Sequence, residues 1–220
     1  MPAALIGDET RATFLTALVD GSSLPASDLA ARAGVSASTA SVQLAKLVNG
    51  GLVGVERNGR HSYYRLADEA TASAIEALAA IAPRRTASSR EQARAGAELR
   101  AARTCYDHLA GKLGVALLEA LQQQRLLTQE LEVAPRGADR FARLGIEVDE
   151  LARARRPLTR ACLDWTERRH HLAGALGAVL ATNFLERGWV ERLPGSRAVR
   201  VTDGGRSELA RELAVHVDGR

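Results

Sequence analysis

The stretch from residue 27 to residue 53 constrains the fold most, because its pattern predicts two short helices joined by a tight turn. Leu29 and Ala30 give the first helix an apolar face, and Gly34 supplies the left-handed conformation that ends many helices. Ser36 then begins the second helix, since its side-chain oxygen can accept a hydrogen bond from the first turn.

The second helix presents two different faces. Leu44, Leu47 and Val48 recur at helical spacing and are predicted to face the core. The opposite face carries short polar side chains, which suit a helix that enters a major groove about 12 Å wide and bonds to base edges. A solvated surface would tolerate the same residues. The candidate DNA-binding residues of this motif are Ser36, Ser38, Thr39, Ser41, Gln43 and Lys46.

A basic hairpin is predicted directly after this helix-turn-helix. Apolar and polar residues alternate on each side of Asn58 and Gly59, a pair that favours a two-residue type I′ turn. Between residues 32 and 66, five arginines and lysines stand against one acid, Glu56. Such a hairpin is a wing, which can hold phosphates or enter a minor groove. Its candidate DNA-binding residues are Arg57, Arg60 and His61.

Residues 29–68 resemble the winged helix-turn-helix of the ArsR/SmtB repressor family. The shared motifs are S-x-x-S-x-Q-L-x-x-L, which begins at Ser38, and G-R-x-x-Y-Y-x-L, which begins at Gly59. The resemblance covers about residues 8–82. It implies a homodimer on a palindromic DNA operator, with the N-terminal segment and a helix from about residue 68 to 81 at the interface. It also implies that ligand binding lowers operator affinity and releases transcription.

The metal sites common in that family are not matched. Metal-sensing relatives carry E-L-C-V before the helix-turn-helix, whereas this chain has S-L-P-A, with Pro25 at the thiolate position. The helix after the wing offers Asp68, Glu69 and Glu76 but no histidine. Any metal ligands of this chain are therefore expected elsewhere.

Three regions are predicted: a DNA-binding and dimerisation domain at 1–82, a basic helical linker at 83–103 and a C-terminal half at 104–220. The linker carries six arginines against two glutamates, and Ser88 with Glu91 predicts a capping box at its helix start. A solvated helix and an additional DNA-backbone contact are both compatible with this composition.

The C-terminal half contains one phrase twice, HLAGKLGVAL at 108–117 and HLAGALGAVL at 171–180. Each copy is predicted to be a helix that is followed by a short hairpin and another helix, so the half contains two degenerate wing-like units. The predicted fold class is mainly α with short β-hairpins. Because each helical glycine costs about 1 kcal/mol, we expect the two repeated helices to pack closely through their small residues.

The thiols and imidazoles of this half are the candidate sensing residues. Cys105 and His108 are spaced to share a helix face, and Cys162 lies one turn before Trp165. Two thiols and two imidazoles can complete a tetrahedral metal site, react with thiol reagents or simply pack, and the thiols can also line a small-molecule pocket with Trp165. Aligning the repeats pairs Cys105 with Arg168, which argues against a symmetric site. The candidates are Cys105, His108, Cys162, Trp165, His170 and His171, with a metal ion or a small-molecule inducer as the open cofactor question.

Composition narrows the function. The net charge of +4 and the pI near 9.6 permit a nucleic-acid partner. No apolar run is long enough for a membrane span and the first residues lack a signal peptide pattern, so a cytoplasmic protein without a membrane partner is expected. The sequence contains no glycine-rich phosphate loop, catalytic carboxylate pair or nucleophile elbow, so an enzyme is not expected. The predicted function is a DNA-binding repressor released by a ligand or thiol-reactive signal; the alternative is a protein-interaction adaptor.

Overall fold

A computed structural model of the chain describes residues 2–59, 61–82 and 89–217. The chain divides into two compact units, Met1–Ala79 and Ala80–Arg220. The N-terminal elements are α1 (Pro2–Ile6), α2 (Glu9–Ala17), β1 (Leu24–Pro25), α3 (Ala26–Ala33), α4 (Ala37–Asn49), β2 (Val53–Asn58), β3 (His61–Leu66) and α5 (Glu69–Ile81).

The elements that follow carry the repeated phrase. They are α6 (Arg90–Ala101), β4 (Arg103–Cys105), β5 (His108–Ala110), α7 (Gly111–Gln123), α8 (Pro135–Arg143), α9 (Val148–Ala152), β6 (Arg160–Leu163), β7 (His170–Ala173), α10 (Gly174–Glu186), β8 (Val190–Arg192), β9 (Val199–Val201) and α11 (Asp203–Leu213). None of the helices in the described part of the chain is long and apolar enough to cross a membrane.

The predicted winged helix-turn-helix is confirmed. Gly34 ends α3 at a φ of +64°, and the Ser36 hydroxyl accepts the Thr39 N–H at the start of α4. β1 adds a third strand to the wing in the order β1-β3-β2. The core of this unit includes the fully buried side chains of Phe14, Leu15, Leu18, Leu29, Leu44, Leu47 and Leu66.

The predicted turn position of Asn58 is not confirmed. Asn58 pairs with His61 as the last cross-strand pair, so it lies in a strand and not in the turn. Asn58 therefore belongs to the β2 arm of the wing. Arg60, a candidate DNA contact, lies outside the described residues.

The repeated phrase does not begin as a helix, which corrects the sequence prediction. His108 and His171 lie on β5 and β7, and the helices α7 and α10 begin only at Gly111 and Gly174. Both glycines adopt positive φ values, +75° and +85°, where the strand turns into the helix. Other residues rarely adopt this conformation, so the first glycine of each phrase makes the junction as the first residue of its helix and does not lie in the helix interior.

The two repeats pack crosswise. Helix α7 packs on strand β7 of the other repeat, and α10 packs on β5. The second glycine of each phrase lies at these contacts: a Cβ on Gly114 would stand 3.3 Å from the Cβ of His171, and one on Gly177 would stand 3.4 Å from that of His108. The expected close packing therefore occurs, but it joins helix to strand, whereas helix-to-helix packing was predicted.

Each repeated helix is followed by an antiparallel pair and another helix. After α7 the pair is reduced to one bridge between Leu127 and Val133, whereas after α10 it is the β8–β9 hairpin. Whether these units descend from wings remains a prediction.

The predicted linker is described only in part. Ser88 lies outside the described residues, while Ser89 accepts the Gln92 N–H at the start of α6. Helix α6 packs on α7, β4 and β9.

Candidate functional site

The exposed face of α4 forms the first candidate site. Ser36 and Thr39 sit at its start, where the Ser36 hydroxyl bonds to Ser38 and Thr39 at 2.9 Å. Ser41 and Lys46 are exposed further along the helix. The short side chains keep the helix surface narrow enough for a major groove, and their hydroxyls can donate or accept.

Val42 is a member of this face that the sequence prediction missed. Its side chain is 55% exposed, although a valine is normally buried. An apolar side chain on a groove-reading face can contact the methyl group of thymine. The signal was its position beside Ser41, between the polar residues already singled out.

Gln43 is placed differently from the other candidates. Its Oε1 accepts a hydrogen bond of 2.7 Å from Arg11, whose guanidinium also donates to the carbonyls of Ala4 and Leu5. Arg11 is largely buried. Gln43 thus ties α4 to α1 and α2, so its role as a base contact stays a prediction.

The wing carries basic residues and follows α4 directly in the sequence, and its strand β2 packs against α4. Arg57, His61 and Arg65 are exposed on β2 and β3. Guanidinium groups at such positions suit phosphate oxygens, which fix the register of a protein on DNA without reading the sequence. The N-terminal unit therefore offers a polar base-reading helix and a basic backbone-contacting hairpin, which are the parts that DNA recognition requires.

The second candidate site is a buried cluster in the C-terminal unit, formed by Cys105, His108, Cys162 and His171. Each side chain is at most 5% exposed, and their ligand atoms all lie within 4.8 Å of one another. The two Sγ atoms are 3.9 Å apart, and the two Nε2 atoms are 3.1 Å apart.

The two repeats contribute equivalent residues to the cluster, contrary to what the alignment of the repeats indicated. Cys105 pairs across β4–β5 with His108, and Cys162 pairs across β6–β7 with His171. The alignment failed because the loops differ: two residues separate the first pair, whereas eight separate the second. Cys105 and His108 are therefore partners on two strands and do not share a helix face as predicted.

A carboxylate lies behind each histidine. Asp107 Oδ1 is 3.3 Å from Nδ1 of His108, and Asp164 Oδ2 is 3.4 Å from Nδ1 of His171. Each carboxylate is also paired with an arginine. The guanidinium of Arg156 donates to Asp107, and that of Arg103 lies 3.0 Å from Asp164.

Asp164 also helps to hold the repeats together. Its Oδ2 accepts the Gly111 N–H at 2.6 Å, at the start of α7. A carboxylate at this end of a helix is favoured by the helix dipole. Its Oδ1 accepts from the backbone and hydroxyl of Thr166 and from the backbone of Glu167. The sequence prediction included none of Arg103, Asp107, Arg156 and Asp164.

Both carboxylates are charged at neutral pH. Burial raises the pKa of Asp164, but its contact with His171 and the charge of Arg103 lower it by more, so this pKa lies well below the usual range. Burial likewise raises the pKa of Asp107, while hydrogen bonds from His108 and Arg156 outweigh it and leave the pKa at about 2.

The pKa values of Cys162 and His171, on the second hairpin, shift in opposite directions. The contact with Cys105 lowers the pKa of Cys162 far below that of an ordinary thiol, and His108 and His171 lower it further against the effect of burial. Burial lowers the pKa of His171, but the contacts with Asp164 and Cys162 raise it by more. The cluster therefore favours a thiolate, the form of cysteine that binds metals and reacts with oxidants.

Two of the predicted sensing residues lie outside this cluster. Trp165 is half-buried in the β6–β7 loop, where the Arg103 guanidinium stands 5.0 Å from its ring. His170 neighbours His171 on β7, but successive strand residues point to opposite sides, and His170 is exposed in a groove beside Glu119.

The chain is similar to known transcriptional regulators. A family model described as a helix-turn-helix domain matches residues 6–56. The HTH-type transcriptional regulator YdfF of Bacillus subtilis (strain 168), itself described as uncharacterized, is 42% identical over 217 residues, which span 97% of this chain and 96% of YdfF.

Similar solved structures cover about a third of the chain. HlyU from Vibrio cholerae N16961 is 28% identical with a TM-score of 0.34, over 35% of this chain and 83% of its own. The homodimeric winged helix-turn-helix DNA-binding domain Mb0332 from Mycobacterium bovis, described as a possible ArsR-family transcriptional regulator, is 29% identical with a TM-score of 0.33, over 34% of this chain and 69% of its own. Because the similarity to YdfF extends over nearly all of both chains, and in agreement with the ArsR/SmtB resemblance of residues 29–68, the chain belongs to the helix-turn-helix family of DNA-binding transcriptional regulators.

Proposed function

We propose that this regulator is a homodimeric cytoplasmic repressor, without enzymatic activity, that binds a palindromic operator and leaves it when a ligand or thiol-reactive signal acts on the C-terminal half. The observation that carries this proposal is the narrow, polar, exposed face of α4 next to a basic wing. We assign the first region, residues 1–82, to DNA binding and dimerisation, residues 83–103 to a linker and residues 104–220 to sensing.

Base readout is assigned to the middle of α4. Ser38 and Ser41 are exposed with short hydroxyl side chains, and Val42 lies beside them. Hydroxyls can bond to base edges, and an apolar group can contact thymine. Lys46, Arg57 and His61 are exposed on α4 and the wing and are assigned to the phosphates, together with Arg60.

Dimerisation is assigned to α5, the helix that the ArsR/SmtB resemblance places at the interface. Its end leaves Leu78 44% exposed and Ile81 80% exposed. Apolar side chains grouped in this way often mark a surface that a partner covers. Two such subunits would place their α4 helices in successive major grooves, about 34 Å apart.

Signal reception is assigned to the buried cluster of Cys105, His108, Cys162 and His171. The two cysteines of the chain both lie in this cluster, and the cluster joins the two repeats. Replacing either cysteine by serine should leave operator binding intact and abolish release by the signal. A normal response from both variants would mean that these thiols only pack.

Substitutions on α4 and the wing test the assignment of DNA-binding roles. Ser41→Ala should relax the base preference at one operator position. Arg57→Ala should weaken binding to all DNA sequences equally and reduce the slope of log affinity against log salt by about 1. Ser207→Ala and Arg192→Ala, exposed positions in the other unit, serve as matched controls. Unchanged base preference for Ser41→Ala would mean that another helix reads the DNA.

A reporter assay tests the direction of regulation. The upstream region of the gene is placed before a reporter, with and without the chain. Repression predicts lower reporter output when the chain is present, because a bound dimer blocks the promoter. Higher output would show activation and would contradict the repressor assignment.

A further inference from the structure

We propose that Cys105, His108, Cys162 and His171 bind one zinc-class divalent ion in a closed tetrahedral site between the two repeats. The site belongs to the C-terminal unit, whereas the residues assigned to DNA belong to the N-terminal unit. The same cluster is the one assigned to signal reception, and any effect of the ion on operator binding rests on that proposed function, whereas ion binding itself does not.

The sulfur–sulfur distance and the nitrogen–nitrogen distance match the edges of a zinc tetrahedron. With Zn–S bonds of about 2.3 Å and Zn–N bonds of about 2.0–2.1 Å, tetrahedral geometry places two sulfurs about 3.8 Å apart and two nitrogens about 3.3 Å apart. The structure has the Sγ atoms of Cys105 and Cys162 at 3.9 Å and the Nε2 atoms of His108 and His171 at 3.1 Å. All four ligand atoms lie within 4.8 Å of one another.

The orientation of the two imidazoles suits a cation between them. Asp107 and Asp164 lie 3.3 and 3.4 Å from the Nδ1 atoms of His108 and His171. When each neutral ring carries its hydrogen on the Nδ1 that faces a carboxylate, the two Nε2 lone pairs point at each other across 3.1 Å. A metal ion in this position accepts both lone pairs, and carboxylates behind ligating histidines are a recurrent feature of metal sites.

Charge and chemistry favour a soft or borderline ion over calcium or magnesium. Two thiolates and one divalent ion sum to zero charge, which suits a cluster that is at most 5% exposed. Thiolate and imidazole select zinc and similar ions, whereas calcium and magnesium take oxygen ligands. Four protein ligands leave no open position, as in zinc sites that hold a structure together.

The fold gives the ion a defined task. Each hairpin contributes one cysteine and one histidine, so the bound ion joins β4–β5 to β6–β7. The separate sheets of these hairpins share no strand pairing. An ion that binds only when both hairpins are in place stabilises the folded unit.

Metal analysis of the purified full chain tests the proposal. Elemental analysis after purification with zinc should find one zinc per chain, and zinc should raise the melting temperature of the chelated protein. His171→Gln and Cys162→Ser should lose the zinc. His170→Gln is the matched control, since His170 is the exposed neighbour of His171 on β7, and it should retain the zinc. Equal zinc loss from His170→Gln and His171→Gln would overturn the proposal.

Two measurements on the wild-type chain avoid the question of whether variants fold. Cobalt in place of zinc should show the visible bands of tetrahedral coordination and the near-ultraviolet bands of sulfur ligation. Zinc should protect both cysteines from a thiol reagent, and a chelator should remove this protection. Absence of the cobalt–sulfur bands, or a Cys105–Cys162 disulfide in place of bound zinc, would overturn the proposal.

A separate assay links the ion to DNA. Zinc-loaded and chelated chains are compared for binding to the upstream fragment, after zinc content has been measured. Zinc binding without a DNA complex would reject the proposed repressor and leave the metal site intact. A DNA complex from a chain that binds no zinc would reject the metal site alone.

Discussion

Replacing Gly177 by alanine should destabilise the C-terminal unit, although alanine favours helices. A Cβ at this position would stand 2.6 Å from the carbonyl oxygen of Leu172 and 3.0 Å from its carbonyl carbon, whereas ordinary contact begins at 3.4 Å. The obstacle is the backbone of β7, which cannot rotate away as a side chain can. Either the strand or α10 must therefore shift.

The net effect follows from two opposing contributions. Alanine gains about 1 kcal/mol of helix propensity, while overpacking of a rigid core costs about 1–3 kcal/mol. Because backbone atoms receive the contact, we take the upper end of the cost and expect a net loss of about 2 kcal/mol. Gly204→Ala in α11 is the control, since no heavy atom lies within 4 Å of its added Cβ. That variant should be as stable as the wild type or slightly more stable.

Urea unfolding followed by tryptophan fluorescence measures the difference. The chain has two tryptophans, Trp165 and Trp189, and both belong to the C-terminal unit, so the signal reports this unit. With a urea dependence of about 2 kcal/mol per molar, the midpoint should fall by about 1 M. A midpoint for Gly177→Ala that rises as it does for Gly204→Ala would refute the close approach of α10 to β7.

Three further predictions concern other parts of the chain. Asp68→Ala should cost about 1 kcal/mol at neutral pH by circular dichroism, because Asp68 accepts the Thr71 N–H and hydroxyl at the start of α5. The Thr71 N–H lowers the pKa of Asp68, so this stabilisation is present above the usual aspartate pKa and should disappear as the pH falls through the lowered value; a constant difference would contradict the capping role. Asp164→Asn should cost about 3 kcal/mol or more by tryptophan fluorescence, since it leaves the buried Arg103 without its carboxylate, and a loss below 1 kcal/mol would argue against the pair. Leu78→Arg should convert the dimer to a monomer in light scattering, whereas an unchanged mass would move the interface away from α5.

The N-terminal fold was predictable because its signals are local. Gly34 ends α3, Ser36 caps α4, and apolar residues recur at helical spacing between them and beyond. The exposed serines of α4 were identified for the same reason. The engagement of Gln43 by Arg11 was not predictable, since the two residues lie 32 positions apart and only the folded unit brings them together.

The C-terminal cluster was predictable in its members but not in its geometry. Strands of three or four residues, such as β5 and β7, are too short to show a strand period, so the repeated phrase resembled a helix throughout. The unequal loops after Cys105 and Cys162 concealed the equivalence of the two hairpins. The contact of Asp164 with Arg103 joins separate repeats, which no local pattern reports.

The most direct test of the account measures binding of the full chain to DNA from directly upstream of its own gene. Fluorescence anisotropy compares this fragment with a scrambled fragment of equal length and composition over a range of salt concentrations. The account predicts binding at least about a thousandfold tighter to the upstream fragment and a steep fall in affinity with salt, because several arginines release counterions. Equal affinity for both fragments, or no binding at any salt concentration, would contradict it.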